Sequence, residues 1–271
     1  MNALREALLR GKRRPRQTGC GSPTQYRGDG YEFVELREYV AGDDVRRIDW
    51  TSTARTGQLQ TRVILEDVAL TLAAILDSSG SMCVGRHRPL VEAGHRLLET
   101  WYGAAATDDR CVRVLDDCVI APRGLRGAAS AQRCLAQSDA PHFWLLQALD
   151  VAAATLPRGS ALLVISDFFD SEPEHEAILG IMGRRFDCTA LIARDPWRDD
   201  LPLRGFVAVR DAETAAVRRM FIGERERRRY ASAVAARETE TVARLNRANW
   251  RTGFFGERDG RSALLRAFAL A

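Results

Sequence analysis

A doubly wound α/β fold, a mostly parallel sheet flanked by helices with an irregular lobe ahead of it, is the architecture that this chain of 271 residues predicts. Three observations lead there. The runs at 70–76 and 161–165 are almost unbroken in their hydrophobicity, as strands buried on both faces must be. Segments of helical spacing separate the strands, and such alternation specifies a parallel or mixed sheet covered on both sides. Both runs end in acids, Asp77 and Asp167, at the tips where open α/β sheets bind ligands.

The elements can be justified in order. Residues 1–27 carry Arg5, Arg10, Lys12, Arg13, Arg14 and Arg16 beside Leu4, Leu8 and Leu9, followed by a Gly/Pro/Ser/Thr stretch. They read as a flexible, solvated basic end, with a short amphipathic helix touching acidic lipid or a partner as the alternative. Residues 28–66 mix aromatics with acids and arginines and read as a lobe packed on the main domain through Tyr31, Phe33, Tyr39 and Trp50, with a turn at Gly42-Asp43-Asp44. Arg46, Arg47, Asp49 and Arg55 form a dense charged cluster there. It either ties the lobe together through charge-assisted hydrogen bonds or, with Trp50, offers a partner-binding surface.

Residues 67–271 form the main α/β domain. After the first strand, 88–106 has helical spacing and 111–115 is a short strand ending at Asp116-Asp117. Helices near 130–136 and over 143–156 precede the 161–165 strand, and a helix at 175–185 precedes a strand at 188–193 that Asp195-Pro196 breaks. A hairpin, 206–210 with 218–222, turns around Asp211-Ala212-Glu213-Thr214. A long charged helix at 224–249, a strand at 253–255 and a helix at 261–268 complete the chain.

Composition excludes several classes. The formal charge is +4, nearly all of the positive charge is arginine, and Lys12 is the only lysine; with no interleaved aromatics or known module, nucleic-acid binding is not expected. The six cysteines show no C-x-x-C spacing and read as reduced thiols, mostly small buried hydrophobes. No stretch reaches the ~18 apolar residues of a membrane span, so a cytoplasmic protein with at most peripheral membrane contact is expected. There is no G-x-x-x-x-G-K-[ST], G-x-S-x-G or H-E-x-x-H, and His87, His95, His142 and His175 lack metal-ligand spacing.

The chemistry-bearing stretch is LTLAAILDSSGSM at 70–82, whose D-x-S-x-S places Asp77, Ser79 and Ser81 on a strand-end loop. Magnesium is hard and octahedral and favours a few carboxylate and hydroxyl oxygens with retained water, which this loop and Asp167 supply. The competing reading makes Asp77 and Ser81 caps of the next helix. The pattern resembles the metal-ion-dependent adhesion site of von Willebrand factor A domains. That resemblance implies serines that bind Mg2+ directly and acids that act mainly through water. Its third element is usually a threonine in a T-x-L-x-x-A-L frame; setting Leu145, Ala148 and Leu149 on that frame puts Phe143 in the threonine's place. Phenylalanine cannot ligate, and Ser138, Asp139 and His142 are the candidates to replace it.

Residues 28–68 are similar, almost position for position, to the signature of the bacterial family known as domain of unknown function 58. The matching residues are Glu32, Phe33, Arg37, Tyr39, Gly42, Asp43, Arg46, Ile48, Trp50, Ala54 and Arg55. Members of that family often carry an N-terminal membrane anchor and an extra β-domain, neither of which these residues show. The resemblance implies a non-enzymatic adaptor acting with a MoxR-type AAA+ ATPase, or with another protein presenting a carboxylate, in assembly or activation of other proteins. Two alternatives remain: a metal-free scaffold, and a haloacid-dehalogenase-like phosphatase with Asp77 as nucleophile, whose second acid would stand where Ser79 does.

Overall fold

The computed structural model describes residues 3–12, 31–40, 45–66, 69–139, 142–169 and 175–270, with side chains except at 10–12, 31–35, 47 and 62–66. Gly28, Gly42, Asp43, Asp44, Cys20 and the side chains of Tyr31, Glu32, Phe33 and Arg47 therefore lie outside what is described. The chain divides into two compact units, Pro15–Ala69 and a larger one that joins Met1–Arg14 to Leu70–Ala271.

In the smaller unit, β1 (Tyr31–Glu38) pairs antiparallel with β2 (Gln60–Glu66), with a register shift between Phe33 and Glu35. A 3-10 turn at Val45–Arg47 and helix α2 (Trp50–Thr56) connect them. Asp49 caps α2 by accepting from the Ser52 amide at 2.9 Å, and Gly57 closes the helix in the left-handed region at φ +73°. The segment expected to be irregular is thus a strand pair with a capped helix.

The larger unit holds one six-stranded sheet. In chain order its elements are β3 (Thr71–Leu76), α3 (Leu90–Tyr102), β4 (Arg110–Val114), β5 (Val119–Ile120), α4 (Gly127–Leu135), α5 (Leu145–Thr155), β6 (Ala161–Ser166), α6 (Glu176–Arg185) and β7 (Asp187–Ala193). The hairpin β8 (Gly205–Arg210) and β9 (Val217–Ile222), helix α7 (Glu224–Arg247), strand β10 (Arg251–Phe255) and helix α8 (Arg261–Ala267) follow. The strand order is β10-β7-β6-β3-β4-β5, all parallel except β5, which runs antiparallel to β4. Counted within the sheet, this is the doubly wound 3-2-1-4-5-6 order with its third strand reversed. The fold is α/β, a mostly parallel sheet with helices on both faces. Its topological switch point lies between β3 and β6, where connections leave in opposite directions and open a crevice.

Two apolar layers cover the sheet. On one side α3, α4 and α8 bury Leu97, Trp101, Cys134 and Leu264 against Leu72, Ala74 and Leu76 of β3; on the other, α5, α6 and α7 bury Leu149, Met182 and Leu245 against Ala73 and Ile75. Alternate β3 residues thus face opposite layers, the period of a strand. Gly94 lets α3 sit close on β3, since a Cβ there would lie 2.3 Å from Leu76 Cδ1.

The N-terminal expectation needs correction. Residues Ala3–Lys12 form helix α1, and Leu4 and Leu8, one helical turn apart, are buried in the first layer at 1% exposure each. Arg5 reaches Asp109 at 3.1 Å. Asp109 is wholly buried and also accepts from the amides of Leu70 and Ala106, both at 2.7 Å. An i,i+4 leucine pair, too short to stand out among arginines, decides this docking. Among the described residues no helix is long and apolar enough to cross a membrane.

Candidate functional site

The β3 and β6 tips bring four of the singled-out residues to the switch-point crevice. β3 ends at Leu76, and the loop Asp77-Ser78-Ser79-Gly80-Ser81 turns across its edge before Met82 plunges into the core at 0% exposure. The Asp77 amide donates to Ile165 O of β6 at 2.9 Å, stitching the loop to the neighbouring strand. Asp77 itself is 4% exposed. Its Oδ1 accepts from the Ser79 amide at 2.9 Å and its Oδ2 from the Ser166 hydroxyl at 2.6 Å. Ser166, not singled out in the sequence, ends β6 and also accepts from the Phe168 amide at 2.9 Å, so one hydroxyl fixes both tips.

Burial pushes the Asp77 carboxyl up from its ordinary 3.8 to about 6; the bonds from Ser166 and Ser79 oppose this and the nearby Asp167 charge adds to it. Asp167 turns back through a bond from the Phe169 amide at 2.9 Å to its Oδ1. The next residue, Phe168, is left-handed at φ +53° and buries its ring at 1% exposure, so the acid and the ring diverge.

The donor set fits magnesium. The Ser79 and Ser81 hydroxyl oxygens stand 3.2 Å apart. An octahedral ion with oxygen ligands at 2.0–2.1 Å sets adjacent ligands about 3 Å apart, so the two hydroxyls match one edge of its shell. Asp77, at the β3 tip, and Asp167, at the β6 tip, are the acids that would hold its waters. Among the described residues no three His, Cys, Asp or Glu side chains form a metal cluster, so any ion site here depends on the hydroxyls.

Beyond that loop, the threonine position is filled by packing. Phe143, 6% exposed, belongs to the apolar layer with Leu149 and Phe168. Asp139 is committed elsewhere: Oδ1 accepts from Arg113 Nη2 at 3.1 Å and Oδ2 meets His95 Nε2 at 2.8 Å. Ser138 and His142 are exposed. In the smaller unit, Arg46, Trp50 and Arg55 are exposed, Trp50 at 67%, while Asp49 serves as the α2 cap.

Sequence reasoning missed Glu213. At the β8–β9 turn, its Oε1 accepts from the Ser81 amide at 2.7 Å and its Oε2 from the Gly80 amide at 3.2 Å. Glu213 lies 132 residues from Ser81 and carries no motif, so only its place in a turn-forming Asp-Ala-Glu-Thr marked it. Beside it the hairpin, the Asp195 loop and α7 enclose a cavity of about 410 Å³ whose walls include Ser81, Asp167, Trp197, Val209, Tyr230 and Arg237.

Residues 35–240 match the family described as protein of unknown function DUF58. Uncharacterized proteins of Mycobacterium tuberculosis (Rv1480) and Mycobacterium bovis (Mb1516) are each 30% identical over 247 residues, covering 81% of this chain and 72% of theirs. Among solved structures, an aerotolerance-related membrane protein from Bacteroides fragilis aligns at 14% identity and TM-score 0.41, covering 74% of this chain and 97% of that one. BatB from Bacteroides thetaiotaomicron aligns at 15% and 0.37, covering 66% and 100%. A von Willebrand factor type A protein from Catenulispora acidiphila aligns at 15% and 0.39, covering 78% and 43%.

Proposed function

Because the chain belongs to the DUF58 family, whose description leaves its activity open, we propose its function from the site: a non-enzymatic adaptor that docks a partner protein through a Mg2+-assisted loop at the β3–β6 switch point. The observation that carries this reading is the pair of serine hydroxyls 3.2 Å apart, flanked by Asp77 and Asp167. When bound, the ion supplies a positive centre for a partner carboxylate. Ser79 and Ser81 would hold it, Asp77 and Asp167 would orient its waters, and Ser166 keeps Asp77 in place. A MoxR-type AAA+ ATPase is the proposed partner, on the resemblance of the 28–68 signature, and assembly or activation of other proteins is the proposed task.

A phosphatase using Asp77 is the less favoured reading. Both Asp77 oxygens are engaged in hydrogen bonds and the carboxyl is 4% exposed, which is poor placement for in-line attack on a phosphoryl group. Affinity capture in Mg2+ and in EDTA, with wild type and Asp77→Ala, tests the adaptor reading. Partner retention that requires both Mg2+ and Asp77 is expected; retention indifferent to both would remove the site from the docking surface. Purified protein should turn over no phosphomonoester, and turnover abolished by Asp77→Asn would restore the phosphatase.

A further inference from the structure

We propose that the Gly80 and Ser81 amides form a carboxylate seat that Glu213 holds from within the chain and that an acidic side chain of a partner takes over on docking. The inference rests on the docking reading above and names both the chemistry of the partner residue and the group it must displace. Two adjacent N–H groups donating to the two oxygens of one carboxylate make a built anion site, and it opens beside the hydroxyls of Ser79 and Ser81. The occupant belongs to a turn shaped to deliver it. Asp211 Oδ1 accepts from the Glu213 amide at 3.0 Å, the Thr214 amide at 2.8 Å and the Thr214 hydroxyl at 3.0 Å, fixing the tip before it meets the loop. Ala212 O sits so close over Gly80 that a Cβ there would lie 2.2 Å from it.

The hairpin is built to leave as well as to dock. Among the described residues β8 and β9 pair only with each other, and a lone two-stranded ribbon is marginal in water. Its outer face is solvated: Phe206 is 90% exposed and Phe221 56%, stacked edge-on with centroids 5.2 Å apart. Lifting the tip would free the two amides and unroof the cavity walled by Ser81 and Asp167. A tethered carboxylate acts at an effective concentration in the mM range, so an acidic residue arriving from outside competes against it, and apparent affinity falls by the fraction of time that the seat is free.

The experiment uses the full chain, labelled with nitrogen-15, in Mg2+. The probe is a short peptide with one central glutamate among neutral residues, and a second peptide with glutamine in that place is its control. Glu213→Gln lies on an exposed turn and should fold as wild type does. In the free variant the Gly80 and Ser81 amide signals should move away from their wild-type positions. The glutamate peptide should bind the variant at least about tenfold more tightly than wild type and return those two signals, while the glutamine peptide should not. Gly80→Ala, whose Cβ would crowd the Ala212 carbonyl at 2.2 Å and the Glu213 carboxylate at 3.2 Å, should raise hydrogen–deuterium exchange across 205–222. Unmoved amide signals, equal peptide affinity in both proteins, or unchanged exchange in Gly80→Ala would each overturn the proposal and leave the docking reading standing. Moved amides with no peptide binding by either protein would overturn both.

Discussion

Asparagine in place of Asp77 should make the metal-free protein more stable at neutral pH and leave it no better at pH 4. Folding buries the Asp77 carboxyl and raises it from 3.8 to about 6, so the folded chain holds this proton more tightly than the unfolded one. The associated stability is complete below pH 3.8 and is lost as pH rises through 6, by about 3 kcal/mol. A neutral amide escapes that loss. It can still accept from the Ser79 amide, but its NH2 group now faces the Ser166 hydroxyl in place of an acceptor, which costs about 1 kcal/mol. The net gain at pH 7.5 is about 2 kcal/mol, or a rise of about 4–8 °C in midpoint for a unit of this size. Urea unfolding of wild type and Asp77→Asn in EDTA, from pH 4 to 7.5, measures it. A stability difference that stays constant over that range would refute the desolvation argument. With Mg2+ added the order should reverse, because the ion stabilises the ionised acid that the variant lacks.

Three further outcomes follow from the packing. Asp109→Ala should cost at least about 3 kcal/mol in urea unfolding, because it strands the buried Leu70 and Ala106 amides and the Arg5 guanidinium; a loss under about 1 kcal/mol would show that α1 docks by its leucines alone. Phe143→Thr should destabilise by about 3 kcal/mol and fail to tighten Mg2+ in calorimetry, since the ring fills the layer beneath Phe168; tighter Mg2+ binding without loss of stability would mean that the hydroxyl reaches the site. Among the described cysteines, Cys83 and Cys118 should react with a thiol reagent first, and faster at alkaline pH, since both are exposed and both thiols are raised above the ordinary range. Buried Cys111, Cys134 and Cys188 should wait for unfolding, and early modification of any of them would contradict that burial.

The sheet was legible because its central strands are buried on both faces, and a strand in that position writes itself as a continuous apolar run. The β3 tip was legible for a related reason: Asp77, Ser79 and Ser81 interrupt such a run at one short spacing. Residues that act across long separations left no such trace. Ser166 reads as an unremarkable serine at the end of β6 until the pairing of β3 with β6 sets it on Asp77. Glu213 meets Ser81 only because the β8–β9 hairpin folds back over the crevice. The first helix failed for lack of length: two leucines one turn apart cannot outweigh a run of arginines in a local reading, although the wholly buried Asp109 gives one of those arginines its place.

Phe168 has a consequence for how this protein can vary. A left-handed backbone at a residue other than glycine costs on the order of 1–3 kcal/mol and persists only where the surroundings over-determine it. Here the ring is buried in the apolar layer that also holds Leu179 and Met182, and that packing keeps Phe168 in place beside Asp167. A collection of loss-of-function alleles should therefore include conservative changes at those inner positions, in proteins that still accumulate to normal levels.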